Sequence, residues 1–353
     1  MVSLLARSGY YMAYCAPSDM TDFDNNQAAI VEAELNAMDW FISAEIQHTK
    51  PRTFNVNPLS ATYIPSRINA GRYLGQLSST HYLQTGILSY MVKGVSSTSG
   101  AGPYTTTITA DTDTAPPSLG FHYEKEGGTA ARRRDIMGFV GTGLDITVSE
   151  RNPIATQTLT GQFAYTGAGS DLAKPTALTQ ASYAPYTWYN YKSSSGASAF
   201  TYGGGAIDVD IVELKIHLGW KEALFTTYDA SGYPTDGHHT PPITDYIQVG
   251  CRVQDAGNTA LDTISDLVLS ATPAYAGGDL DMTIDFYESA SRGLKYAYDK
   301  LYVVPDSYAE IFQDEGNWYD GVTFTLAYLS SGSSCTITDI TAGLDKTYYG
   351  NTP

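Results

Sequence analysis

Residues 212–218 read Val-Glu-Leu-Lys-Ile-His-Leu, a stretch with a period of two. Val212, Leu214, Ile216 and Leu218 fall on one side of an extended chain, and Glu213, Lys215 and His217 fall on the other. Successive side chains of a strand point to opposite faces, so this pattern marks an antiparallel strand with one face on a core and one in water. The same beat recurs on both sides. Trp40, Ile42, Ala44 and Ile46 alternate with Phe41, Ser43, Glu45 and Gln47, and Leu144, Ile146 and Val148 with Asp145, Thr147 and Ser149. Leu159, Gly161 and Phe163 alternate with Thr158, Thr160 and Gln162, and Leu280, Met282, Ile284 and Phe286 with Asp279, Asp281, Thr283 and Asp285. Val322, Phe324 and Leu326 alternate with Thr323 and Thr325. The expected class is mainly β, an antiparallel sandwich or barrel with two or three short helices. The helix candidates are residues 26–38, where Asp24 or Asn25 would cap the start, residues 290–298 and residues 307–312.

The chain of 353 residues is long enough for two domains. Residues 166–205 are rich in Gly, Ser, Ala, Pro and Tyr and show no period, so they read as a linker or an arm that packs on a neighbouring subunit. The expected division is a first β-domain with an N-terminal arm (1–165), the linker (166–205) and a second, acidic β-domain (206–353). Residues 96–102 and 110–118 bracket the threonine-rich strand 104–109, which suggests a long exposed hairpin. The halves share a layout. Each opens with a long alternating strand, 39–47 and 207–218. Each then carries a loop with a Pro step, Tyr63-Ile64-Pro65 and Gly232-Tyr233-Pro234, and reaches an Arg, Arg72 and Arg252. A duplicated unit explains this, and so would two unrelated β-domains.

Apolar residues make up 42% of the chain, which argues against global disorder, whereas charged residues are only 16%. Tyr occurs 28 times. A weakly charged surface rich in Tyr suits association, because each ring brings contact area at little entropic cost. The net charge of −17 is unevenly placed: residues 1–200 hold 15 acidic and 13 basic side chains, residues 201–353 hold 22 and 7. Such a surface does not grip nucleic acid, which needs Lys and Arg to displace counterions. Cys15, Cys251 and Cys335 are far apart and odd in number, so neither a disulfide framework nor a zinc site is expected. The apolar run Leu4-Leu5-Ala6 is far too short for an export signal or a membrane span.

A search for chemistry returns little. P-loop, GxGxxG, HExxH and GxSxG patterns are missing from the sequence. Asp22, Asp24 and Asn26 begin like a calcium loop, but Gln27 stands where Gly is needed and Ala33 where Glu is needed. His238 and His239 are adjacent in a Pro- and Gly-rich loop, so their side chains point apart and do not chelate. Asp279, Asp281 and Asp285 share the solvent face of a strand, which explains them without a glycosidase pair. No enzyme activity and no cofactor is expected. The one basic cluster is Arg132-Arg133-Arg134, read as a hairpin end that meets acidic side chains of another subunit.

In this order the segments resemble the tail tube, or major tail, proteins of long-tailed bacterial and archaeal viruses. The resemblance rests on three places. The first is Ser66-Arg67, then Gly71-Arg72-Tyr73, then Leu83-Gln84-Thr85-Gly86 leading into apolar residues 87–92. The second is Phe121-His122-Tyr123-Glu124, then Arg132-Arg133-Arg134-Asp135, Gly138-Phe139-Val140-Gly141 and the strand 144–148, with Glu150-Arg151-Asn152-Pro153 and the strand 156–165 after it. The third is the acidic strand 208–218. Family members often place a Cys in the Gly turn, and here 138–141 has none. The resemblance implies a tail-tube β-fold, twice over in this chain, that assembles with itself. Rings of three copies with pseudo-sixfold symmetry, or of six, stack into a tube that is the conduit for genome delivery. Other tail proteins would cap the ends, and viral DNA would pass without specific binding. The expected place is the virion tail, after assembly in the host cytoplasm, with no membrane partner. Glu45, Gln47, Glu213, Asp281 and Asp285 are the expected lumen-facing residues. The competing functions are a tail terminator, a capsid decoration protein or a secreted carbohydrate-binding β-sandwich.

Overall fold

The structure is a computed structural model that describes residues 10–15, 30, 32, 35–49, 52–55, 67–70, 72–110, 119–125, 133–172, 183–193, 200–203, 205–207, 209–228, 232–253, 263, 264, 266, 268, 280–313, 319–328 and 332–342. It is mainly β, with one large antiparallel sheet and, among the described residues, two short helices besides the helical positions 263, 264, 266 and 268. The first strands are β1 (Tyr10–Cys15), β2 (Leu35–Ala37), β3 (Phe41–Thr49), β4 (Arg52–Asn55), β5 (Arg67–Ala70) and β6 (Leu74–Tyr82). Helix α1 (Ile87–Lys93) leads into the hairpin of β7 (Gly94–Ser99) and β8 (Tyr104–Ala110). β9 (Leu119–Lys125), β10 (Arg133–Ser149), β11 (Thr156–Phe163), β12 (Tyr165–Ala168) and helix α2 (Trp188–Ser193) follow. Then come β13 (Phe200–Tyr202), β14 (Gly205–Ala206), β15 (Asp210–Leu224), β16 (His238–Ile243) and β17 (Tyr246–Val253). The last strands are β18 (Leu280–Ser289), β19 (Arg292–Val303), β20 (Ala309–Gln313), β21 (Tyr319–Tyr328) and β22 (Ser334–Thr341).

The main ladder runs β3–β6–β11–β10–β15–β17–β21–β20, antiparallel at every step. A second run, β18–β19–β22–β8–β7, joins it where residues 301–303 of β19 pair with β21. The strand turns that corner at Lys300, a non-glycine residue with φ of 59°. The strained backbone is held on both sides: Lys300 N donates to Asp281 Oδ1 (3.1 Å) and Ser333 Oγ donates to the Lys300 carbonyl (2.6 Å). β10 serves two neighbourhoods. Its first residues pair with β9 and β12, its later ones with β11 and β15. Between them Gly138 has φ of 64°, and a Cβ on Gly141 would lie 2.6 Å from the Met91 carbonyl.

Alternating residues of both runs share one large buried cluster. Leu214, Ile216 and Leu218 belong to it together with Ile284, Phe286, Leu294, Tyr296 and Ile337. Val212 departs from its expected place. A register shift between Ile211 and Glu213 puts Ile211 in the core and leaves Val212 half-buried. α1 is buried along its whole length, packs against β8, β10 and β15, and ends at Gly94, whose φ is 94°. Trp220 Nε1 donates to the Val92 carbonyl near that end (2.8 Å).

The order of elements repeats. β3, the hairpin β4/β5, β6, α1, the hairpin β7/β8, then β9, which has no counterpart among the described residues of the second half, and β10 and β11 make up the first half. β15, its hairpin with β16, β17, the helical residues 263, 264, 266 and 268, the hairpin β18/β19, β20 and β21 follow in the second. The main ladder is accordingly β3–β6–β11–β10 followed by β15–β17–β21–β20, the same order twice.

Several expectations need correction. Residues 35–37, the end of the expected helix 26–38, form strand β2 on β1, with Leu35 packed on Cys15, Ile30 and Met137; residues 26–29, 31, 33 and 34 lie outside the described residues. Residues 290–298 are a turn and the start of β19, where Leu294, Tyr296 and Tyr298 are buried at period two. Residues 307–312 hold the end of a 3₁₀ turn (Pro305–Ser307) and most of β20. The hairpin expected at 96–118 is tied into the sheet, since β8 pairs with β22 as well as β7; residues 111–118 lie outside the described residues. Where described, 166–205 is integrated: Tyr186, Trp188 and Tyr191 are buried in the core of their own chain.

Candidate functional site

The face of the main ladder turned away from the core is as regular as the core itself. Residues directly opposite across a strand pair share a face, so rows can be followed from strand to strand. One row is Ser43, Thr80, Thr158, Asp145, His217 and Tyr246, on β3, β6, β11, β10, β15 and β17. Another is Thr156, Thr147, Lys215, Gln248 and Thr325. A third is Ser149, Glu213, Gly250, Thr323 and Ala309. Glu45 stands opposite Ser78, which stands opposite Thr160. This one surface is therefore hydroxyl- and amide-rich and crosses both halves of the chain.

Its polar groups largely satisfy one another. Gln47 Nε2 donates to Glu45 Oε1 (2.7 Å), and the hydroxyls of Thr80 and Thr158 (3.1 Å) and of Thr147 and Thr156 (3.0 Å) pair across strands. The charges cluster at the joint between halves. Asp145 Oδ1 of β10 meets His217 Nδ1 of β15 at 2.8 Å and Lys215 Nζ at 3.9 Å. The His217 hydrogen bond holds the Asp145 carboxyl below its ordinary range. The His217 ring stacks on Tyr246, with centroids 4.6 Å apart. At the start of β15, Arg252 pairs with Asp210 (2.7 Å) and Glu150 (3.0 Å), and Lys192 with Asp210 (2.8 Å). Such partly exposed pairs add little stability each, but they fix register.

The ladder ends in two edges. Among the described residues β3 pairs along one side only, with β6, and β20 along one side only, with β21. Unpaired strand edges are templates for another chain.

The structure brings Glu45, Gln47 and Glu213 onto this common face. Asp281 and Asp285 stand elsewhere, on the outward side of β18 in the second run, where Met282, Ile284 and Phe286 point inward. Burial raises the Asp285 carboxyl, partly countered by Lys295. Asp279 and Arg132 lie outside the described residues. Arg133 does meet acidic side chains, those of its own chain: Glu124 at 3.0 Å and Asp171 at 2.9 Å. An Arg134 nitrogen donates to the Arg133 carbonyl (2.7 Å). His239 Nε2 is 2.7 Å from the Gly141 carbonyl and its ring stacks on Trp220 at 4.6 Å, whereas exposed His238 faces Asp236. Among the described residues no group of three or more His, Cys, Asp or Glu is placed to hold a metal ion.

Three buried polar clusters escaped the sequence reading. His122, fully buried, lies between Asp135 (2.7 Å) and Glu124 (3.0 Å), and Glu124 also accepts from Tyr11 (3.1 Å). Burial lowers the affinity of His122 for a proton, but the two carboxylates outweigh it and raise its pKa. Asp39 accepts from Thr85 Oγ1 (2.8 Å) and from Gln157 Nε2. Lys93 meets Asp245. In each case the signal was available only as a polar residue breaking an apolar run, such as Lys93 after Tyr90-Met91-Val92. No protein-family model matches the chain, and no curated protein matches it.

Proposed function

We propose that this chain is a structural virion protein that assembles through its sheet edges into rings, and that the rings stack into a viral tail tube. One observation carries the reading. Within the chain, β10 and β15 form an antiparallel joint from Gly143↔Gly219 to Ser149↔Glu213. By the repeat, β20 occupies in the second half the place of β10 in the first, and β3 occupies the place of β15. The edge that β20 presents and the edge that β3 presents are thus the two sides of a joint the chain already makes once. Pairing β20 of one copy with β3 of the next repeats it head to tail, and a head-to-tail contact that closes gives a ring. Three copies would supply six quasi-equivalent four-strand units.

The polar face suits the inner wall. Thr, Ser and Gln offer DNA phosphates only weak neutral contacts, Glu45 and Glu213 repel them, and Asp145 engages the neighbouring Lys215 and His217 side chains. Binding by counterion release needs free Lys or Arg, so a duplex would slide. In this arrangement β18, with Asp281 and Asp285, belongs to the outer wall.

Electron microscopy and sedimentation of the purified protein at high concentration test the proposal; rings or tubes are expected, and a persistent compact monomer would refute it. Proline at Ala44 and, separately, at Glu45 tests the edge. Alternate residues of an edge strand point their N–H outward, so one of the two variants loses a bond to β6 and the other loses only the free edge. The second should keep its circular dichroism and fail to assemble. Single rings that never stack would favour a tail terminator.

A further inference from the structure

We propose that the folded chain joins Lys93 to Asp245 by an isopeptide bond, a covalent strap between its two halves. Lys93 is the last residue of α1, and Asp245 immediately precedes β17. Both side chains are buried, at 1% and 0% exposure, and Lys93 Nζ touches Asp245 Oδ2. Two further donors serve the same carboxyl group. Tyr328 OH donates to Oδ2 (2.6 Å) and Gly219 N–H donates to Oδ1 (2.9 Å). Trp220, Tyr298 and Cys335, all buried, stand in the same region.

Charges are costly in such a place, and an ammonium beside a carboxylate can shed that cost by passing one proton across, leaving an amine and a carboxylic acid. Those are the reactants of amide formation, held at contact distance in a fixed orientation. The Nζ lone pair attacks Cγ of Asp245. Oδ1 takes up the developing charge and finds the Gly219 N–H already aimed at it. The Cγ–Oδ2 bond then breaks. Oδ2 already carries one proton as the acid and receives a second from Tyr328 OH, which is restored by a proton from Nζ. The products are one amide and one water, and no oxidant, reductant or cofactor takes part. Burial, first of all, pushes the Tyr328 phenol far above its ordinary value, so the hydroxyl keeps its proton in the resting site, and its transfer to Oδ2 and the return of a proton from Nζ run as one concerted step.

The full-length protein is purified, denatured and weighed by mass spectrometry, then digested. The intact chain should be lighter than its sequence by one water, and the digest should contain a branched peptide that links Lys93 to Asp245. Lys93→Ala and Asp245→Ala should each restore the full mass. Because either may fail to fold, Tyr328→Phe is the second arm: it keeps the ring, and the linked fraction should drop severalfold at equal incubation time. A wild-type chain that stays at full mass after prolonged incubation in the folded state overturns the proposal. So does a mass loss that comes without the branched peptide.

Discussion

Asp39 shows how much a single buried group can govern. Burial pushes its carboxyl up to about 7, with Asp339 adding to the rise and hydrogen bonds from Thr85 and Gln157 opposing it. A carboxyl whose folded pKa lies above its unfolded one binds more protons in the folded state over the interval between them, so stability falls as pH rises through that interval. Relative to Asp39→Asn, the wild-type chain should lose on the order of 2–4 kcal/mol between about pH 4 and about pH 8. Urea unfolding of both proteins across that range checks it, and parallel curves would refute it. His81, whose Nδ1 lies 3.0 Å from the Asp39 carbonyl and whose pKa burial lowers to about 4, is common to both proteins and cancels in the comparison. None of this was legible in the sequence. Asp39 falls where the alternating strand was expected to start, and what gives it consequence is Thr85 and Gln157, distant in the chain and brought to it only by folding.

Elements divide by how their signal is written. Strands with one wet face are spelled out residue by residue, so β15, β18 and β21 were readable from alternation. α1 was not. Ile-Leu-Ser-Tyr-Met-Val-Lys has no polar face because every side is buried, and its branched and aromatic residues favour strands. α2 was hidden in a Gly- and Ser-rich stretch, and what fixes it is tertiary. Arg292, 5% exposed, lies over the rings of Tyr183 (4.8 Å) and Tyr186 (4.5 Å) and donates to the Ala184 carbonyl and to Glu288. It pins the segment that enters α2. Arg292→Ala should therefore cost roughly 2–3 kcal/mol through lost stacking and charge-assisted hydrogen bonds. Hydrogen exchange should quicken at residues 183–193 before it does in β15; uniform quickening would count against a local pin. Arg292→Lys should recover little, since an ammonium cannot reproduce the fork.

For the molecule as a whole, charge opposes the association proposed above. A chain of net charge −17 repels its copies, most strongly through its second half. Added salt screens that repulsion, with a Debye length of about 10 Å at 0.1 M and about 3 Å at 1 M. Assembly followed by light scattering should therefore rise with sodium chloride concentration. A fall would mean that ion pairs between copies outweigh the net repulsion. The acidic balance was plain in the sequence; the continuous polar face was not, because only the strand order shows that Ser43 and Tyr246 share the same row.

The doubled strand order also has a kinetic consequence. In the ring proposed above every second joint is made inside one polypeptide, where tethered partners meet at an effective concentration in the millimolar range or above. Closing the ring then requires three bodies to meet where undoubled units would require six. Its nucleation should depend on a much lower power of protein concentration, and a dilute solution of the chain would still polymerise where a solution of separated halves would not.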